Sequence, residues 1–271
     1  MSALLIFITA LLLTSLIIRW HFLVLKNENA FRKKSNLILA AAPIPNRFYC
    51  QAQIESLPYP VRKYFSTVLT EGQPYVKNTE LEHDGYIRLN KGTKWTGITG
   101  HELFSTYHPE FIWMGKTTWF TAVDSYAEGK GSLTVRLLSA VKIADLRGPK
   151  IDQSELLRWL AEGVWFPTAL LPAENISWQP VNENTAILNL NWKRQFVSVT
   201  VRFSADYTIH TLEAERFDEK GHQQKWLCEL SNYKKHDGML IPETVEVKWA
   251  SEREPYAKFK LRRIIYNQKP N

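Results

Sequence analysis

The chain has 271 residues, 45% hydrophobic and 23% charged, with a formal net charge of +7. That balance is ordinary for a globular protein and excludes a disordered or collagen-like chain. Two cysteines, Cys50 and Cys228, exclude a disulfide framework and a cysteine zinc site, and basic residues gathered near the chain ends, without a nucleic-acid motif, argue against nucleic acid as a partner. The ten tryptophans point either to a heavy core or to the lining of a greasy cleft.

Residues 3–18 read ALLIFITALLLTSLII, with no charge and no helix breaker. Continued through Trp20 to Leu25, the run reaches the roughly 20 residues that cross a hydrocarbon layer. Arg19 and His21 are its costly members; Arg19, near one end, can snorkel, and Trp20 suits an interface. A transmembrane anchor is therefore expected over 1–25, with membrane lipid as the partner of residues 3–25. A cleaved signal peptide is the competing reading, but no basic residue precedes the run and the nearest small cluster, residues 40–42, lies far downstream. Arg19, Lys26, Arg32, Lys33 and Lys34 follow the apolar core, so charge bias puts the rest of a single-pass chain in the cytoplasm.

Residues 26–54 read as a basic, then proline-containing linker, and 55–267 as one domain. Pro58 and Pro60 open a helix whose Val61, Tyr64, Phe65, Val68 and Leu69 share a face. Aromatic and β-branched runs then alternate with turns up to Gly148. Asp152, with Glu155 three residues later, fits a capping box and predicts a helix over 152–163. Strands resume after Pro172. Val197, Val199, Val201 and Phe203 repeat with period two, as do Val245, Val247 and Trp249. Short turns between such runs argue for an antiparallel meander with helices against it, an α+β fold.

Chemical motifs are mostly missing. There is no Gly-x-Ser-x-Gly elbow. Gly115-Lys116-Thr117 lacks the first glycine of a P-loop, and His101-Glu102 is followed by Ser105 where a zincin needs its second histidine. No catalytic residue, metal site or cofactor is assigned. The densest cluster is Glu155, Arg158 and Glu162, at spacings that place all three on one helical stripe. It is either a surface ion-pair ladder or a buried arginine pinned by carboxylates that orients the helix or binds an anionic head group.

Residues 154–172, SELLRWLAEGVWFPTALLP, resemble the signature of an uncharacterised bacterial family, a domain of unknown function: a Glu-Leu-x-Arg-x-Leu-Ala-Glu helix, then a Trp-x-Pro-Thr-Ala-Leu-Leu turn. The segments LPYPVRKYF (57–65), HDGYIRL (83–89), PEFIW (109–113), YAEGKG (126–131), GMLIPETVEVKW (238–249) and YAKFKLRRI (256–264) agree. The resemblance spans about residues 55–266. Its recurring positions fall on Glu155, Arg158, Leu160, Glu162, Trp165 and Pro167. Members resemble half-barrels of the lipoprotein-localisation-factor type, which implies a curved antiparallel half-barrel with helices on its concave face and, by analogy, a place outside the cytoplasm.

Three functions are carried forward. The first is a membrane-anchored protein that binds an apolar ligand, a lipid or acyl chain, with Trp113, Trp119, Arg158, Trp159, Trp165 and Phe166 as the ligand-binding set and Glu155, Arg158, Glu162 and Pro167 as structural motif. The second is a non-catalytic interaction module of the cell envelope, with its protein partner unspecified. The third is an enzyme, with His83, Asp84, Glu155 and Glu162 as acids, and it ranks last.

Overall fold

A computed structural model describes residues 2–40, 47–88, 92–218 and 220–268. Three α-helices, α1 (Ser2–Ala40), α2 (Tyr59–Val68) and α3 (Pro149–Glu162), accompany thirteen strands among these residues. Six strands precede α3: β1 (Asn78–Ile87), β2 (Thr96–Ser105), β3 (Glu110–Lys116), β4 (Phe120–Ala127), β5 (Lys130–Leu137) and β6 (Val141–Arg147). Seven follow it: β7 (Ile176–Asn182), β8 (Thr185–Trp192), β9 (Gln195–Phe203), β10 (Ile209–Phe217), β11 (Gln223–His236), β12 (Met239–Trp249) and β13 (Ala257–Tyr266).

All thirteen form one antiparallel sheet in the order β6-β5-β4-β3-β2-β1-β13-β12-β11-β10-β9-β8-β7. The two meanders join where β1 pairs with β13, Thr79 opposite Tyr266. The sheet stays open between β6 and β7. It is also strongly curled. In a flat sheet β5 and β9 would lie roughly 40 Å apart at about 4.8 Å per strand, yet α3, only about 10–12 Å across, packs on β4, β5 and β6 and also on β9 and β10. Gln195 Nε2 on β9 donates to Gly129 O in the β4–β5 turn at 2.8 Å, which confirms the closure. This is the expected half-barrel with helices on its concave face.

Alternation fills that concavity. Trp159, Leu156 and Leu160 of α3 are buried with Phe104, Phe111 and Phe166. Helix α2 buries Val61, Tyr64, Phe65 and Val68, as its periodicity predicts. Helix α3 starts at Pro149, earlier than the expected Asp152. Proline tolerates the first turn, where its missing N–H costs nothing, and Gly148 (φ 109°) makes the left-handed entry that a side chain would strain. Asp152 therefore does not cap the helix. Its Oδ1 accepts from Gly131 N at 2.7 Å and its Oδ2 from Lys130 Nζ at 3.1 Å, tying α3 to β5.

Helix α1 also departs from expectation. It runs past Leu25 to Ala40 without a break, so a linker does not begin at residue 26. No proline or glycine interrupts residues 2–40, and the second half of the helix has a tertiary partner. Phe31, Ser35 and Ile38 recur on one face and are buried, with Phe31 and Ile38 on Leu103, Ile112 and Met114. Those strand residues point away from α3, so α1 lies on the convex side. Residues 41–46 lie outside the described residues; Tyr49 and Ile54 already belong to the main core.

Candidate functional site

Period two in β2 puts Glu102 in register with Ile98, Gly100 and Phe104, all buried; in β4 it puts Asp124 with Ala122 and Tyr126. Both carboxylates therefore face the concavity, and Arg158 of α3 meets them there. Its Nη2 donates to Glu102 Oε1 at 2.7 Å, its Nη1 to Asp124 Oδ2 at 2.7 Å and its Nε to Glu162 Oε1 at 2.9 Å. The guanidinium also covers the rings of Phe111 at 4.9 Å and Trp113 at 5.1 Å. Arg158 is thus mostly enclosed and held by carboxylates from two strands as well as from its own helix. Glu155 does not join Arg158; its Oε1 faces Arg216 Nη2 of β10 at 3.4 Å.

Three buried carboxyls, Glu102, Asp124 and Glu155, and the half-buried Glu162 thus face two guanidinium groups, an excess of two negative charges if all ionise. Burial, above all, pushes the Glu102, Glu155 and Glu162 carboxyls up from the ordinary range. Burial also opposes the charge of Arg158, but the carboxylates around it win and hold it protonated. Asp124 Oδ1, Glu155 Oε2 and Glu162 Oε2 meet no nitrogen or hydroxyl donor. Repulsion from Glu162 raises Glu102 further, and repulsion from Asp124 raises Glu155. That excess of enclosed negative charge favours proton uptake by the raised carboxyls.

The pH dependence follows from those directions. A carboxyl raised in the folded state stabilises the fold fully below its unfolded value, near 4.5, and that contribution is lost as pH climbs through the folded value. Carboxyls lowered by ion pairs, such as Glu80 and Glu243, act only on the acid side of that point. His83, held down to about 3 mainly by burial, weakens the fold below about pH 6.5. Above about pH 6.5, where His83 no longer titrates, stability should therefore fall as pH climbs toward the folded values of these carboxyls, by up to about 1.4 kcal/mol per pH unit for each carboxyl still protonated. Glu102→Gln should flatten that slope. Urea midpoints of the detergent-solubilised chain measure it; wild type and variant running parallel would refute proton retention.

Beside the cluster lies a chamber of about 230 Å³. Trp113, Trp165, Trp226, Val247 and Phe259 form its apolar walls; Arg158, Asp124 and Glu162 form its polar one. Arg216 and Tyr256 also border a wider outer cleft of about 930 Å³, so the two spaces adjoin. Trp113 is fixed by its Nε1, which donates to His83 Nε2 at 2.8 Å. Trp165 Nε1 donates to Pro242 O at 3.0 Å.

Of the ligand-binding set predicted from sequence, Trp113, Arg158 and Trp165 meet at the chamber. Trp159 and Phe166 are buried core, packed on each other with ring centres 5.9 Å apart. Trp119 is 64% exposed in the β3–β4 turn and lies outside the chamber. Pro167 opens a short buried 3-10 turn, and the next residue, Thr168, accepts Val76 N–H on its Oγ1 at 3.0 Å. His83 is a neutral buried acceptor, and Asp84, over half exposed, faces Arg262 instead of Glu155 or Glu162. Cys50 and Cys228 are both free, and burial pushes the Cys228 thiol up. No group of three or more metal-ligating side chains occurs among the described residues.

Sequence reasoning missed Glu102, Asp124, Arg216, Trp226 and Phe259. The signal for Glu102 and Asp124 was present, as charged residues in the inward register of otherwise apolar strands.

The sequence profile of a family of unknown function, DUF6544, matches residues 47–261. The chain belongs to DUF6544. The matched segment of this DUF6544 protein holds the entire cluster and chamber and leaves α1 outside. No functionally curated protein matches it. Among solved structures it is similar to a DUF1329 family protein from Desulfovibrio piger (12% identity, 70% of this chain and 86% of that one, TM-score 0.40). It is also similar to a LolA superfamily protein from Nitrosomonas europaea (11%, 76% and 90%, TM-score 0.41). A third is a putative outer membrane lipoprotein-sorting protein domain from Vibrio parahaemolyticus (12%, 70% and 85%, TM-score 0.39). These likenesses are distant.

Proposed function

We propose that this DUF6544 protein is a membrane-tethered binding protein for an amphiphile that carries an acyl chain. The observation that carries the reading is the chamber, an apolar space with one charged wall, adjoining a wider cleft. That is the usual design of a small-molecule site, mostly apolar walls with a few placed polar groups. Arg158 on its wall offers donors to a polar head, Asp124 and Glu162 offer acceptors, and the tryptophans receive the chain. Helix α1 supports the tether: Ala3–Leu39 has a span-like window of mean hydropathy 2.2, none of it buried in the protein. The basic residues after the run favour a domain on the cytoplasmic side, which a reporter fused after Asn271 and active on one side only would decide.

Val247→Trp tests the site by filling the chamber. It should abolish binding of a fluorescent fatty acid, at a stability cost of about 1–3 kcal/mol from overpacking. A wild-type chain that purifies without lipid and binds no such probe sinks the reading and leaves the envelope interaction module. A second reading has one observation in its favour. Glu155 and Glu162 both keep high-lying carboxyls beside a cavity, a pattern shared with general acids. Both are tied to arginines, which fits the binding role better; turnover of a bound ester or amide that stops in Glu162→Gln would reverse that order.

A further inference from the structure

The β5–β6 hairpin has one apolar face. Its register pairs Leu133 with Leu146, Val135 with Ala144 and Leu137 with Val141, and directly paired residues share a face. The opposite face pairs Thr134 with Asp145 and Arg136 with Lys142. The inner rung, Leu133 and Leu146, lines the outer cleft beside Ile151 and Glu155 of α3. The outer rung, Leu137 and Val141, is open to solvent, together with Leu138, Ile143 and Trp119 of the adjacent β3–β4 turn. Leu138 N donates to Trp119 O at 2.7 Å, so the two turns form one tip. Five large apolar side chains gathered at a tip exceed the scattered exposure of an ordinary surface.

The tip has a defined position along α1. Trp20 Nε1 donates to Leu138 O at 2.7 Å and Asn27 Nδ2 to Ser139 O at 2.5 Å. Those contacts span seven residues, roughly 10 Å of helix, and they straddle Leu25, where the apolar run ends. Trp20 is the residue type that marks a membrane–water boundary, and an apolar surface element reaches about 5–10 Å into that layer. The tip thus sits at the height of the headgroups when α1 spans the bilayer.

We propose that the tip formed by Leu137, Leu138, Val141, Ile143 and Trp119 seats in the lipid headgroup layer beside α1. The apolar face of the hairpin is then the track by which an acyl chain moves between bilayer and cleft. The occupant is lipid rather than a protein partner because the patch is continuous with α1 at the end of its apolar run. Arg136 and Lys142 on the other face add attraction to anionic headgroups. The inference rests on the tethered-binder reading and names the source of its ligand.

The test uses the full chain in phosphatidylcholine–phosphatidylglycerol vesicles, with Cys50→Ser and one NBD fluorophore at a time on Leu12→Cys, Leu138→Cys, Trp119→Cys or His210→Cys. Lipids carrying a shallow nitroxide quencher should quench the labels at 138 and 119 and leave the label at 210 bright; a deep quencher should quench the label at 12. Labels at 138 and 119 as bright as that at 210, with 12 quenched, overturn the seat while the tether stands. A bright label at 12 removes both. Leu137→Asp with Val141→Asp should lower the ratio of pyrene-lipid uptake from vesicles to fatty-acid uptake from solution; an unchanged ratio overturns the track.

Discussion

Replacing Arg158 with methionine should destabilise the folded chain by about 3–5 kcal/mol near neutral pH. The variant keeps the aliphatic bulk over Phe111 and Trp113 but strips the donor from the buried Glu102 and Asp124 and from the half-buried Glu162. Unpaired buried charge is the costly part, and those carboxyls would meet it by taking up protons. The deficit should therefore be smaller at pH 6 than at pH 8. Arg158→Lys should recover little, because an ammonium cannot reach three carboxylates from three directions as a planar guanidinium does. Urea denaturation at both pH values measures all of this. A loss below about 1 kcal/mol, the level of a surface ion pair, would show that water reaches the cluster.

Trp159→Ala should cost about 3–5 kcal/mol by the same measurement. The indole is fully buried against Phe166, and its Nε1 donates to Ser105 O at 2.9 Å. Truncation leaves both a cavity and an orphaned carbonyl. Trp159→Phe separates the two, keeping most of the volume and losing only the hydrogen bond, at about 1–3 kcal/mol. Trp119→Ala, at an exposed turn, should stay within about 0.5 kcal/mol. Equal effects at positions 159 and 119 would contradict the division between core and rim.

Much of the fold was legible because it depends on local pattern. The period-two runs around Val197–Phe203 and Val245–Trp249 became β9 and β12, and the Pro58–Leu69 face became α2. The cluster was half legible. Glu155, Arg158 and Glu162 lie on one helix, so their spacing is visible; Glu102, Asp124 and Arg216 reach them through strand pairing, which no local window records. The tryptophans divided for a similar reason. Trp159 and Trp113 look alike in sequence, but α3 buries the former between sheet and turn while the latter borders an unfilled gap. Trp119 has the composition of a lining residue and the position of a turn. The second half of α1 was misread because Lys26–Lys34 carries the charge of a solvated flank, while Phe31 and Ile38, spaced seven apart, are the inconspicuous part that docks.

That docking has a mechanical result. Since α1 is one rod from Ser2 to Ala40 and is riveted to the barrel's back at Phe31 and Ile38, there is no swivel between the leading segment and the body. On the tethered-binder reading proposed above, the body would be a fixed berth whose tilt is that of the rod, and whatever delivers or collects a load would come alongside.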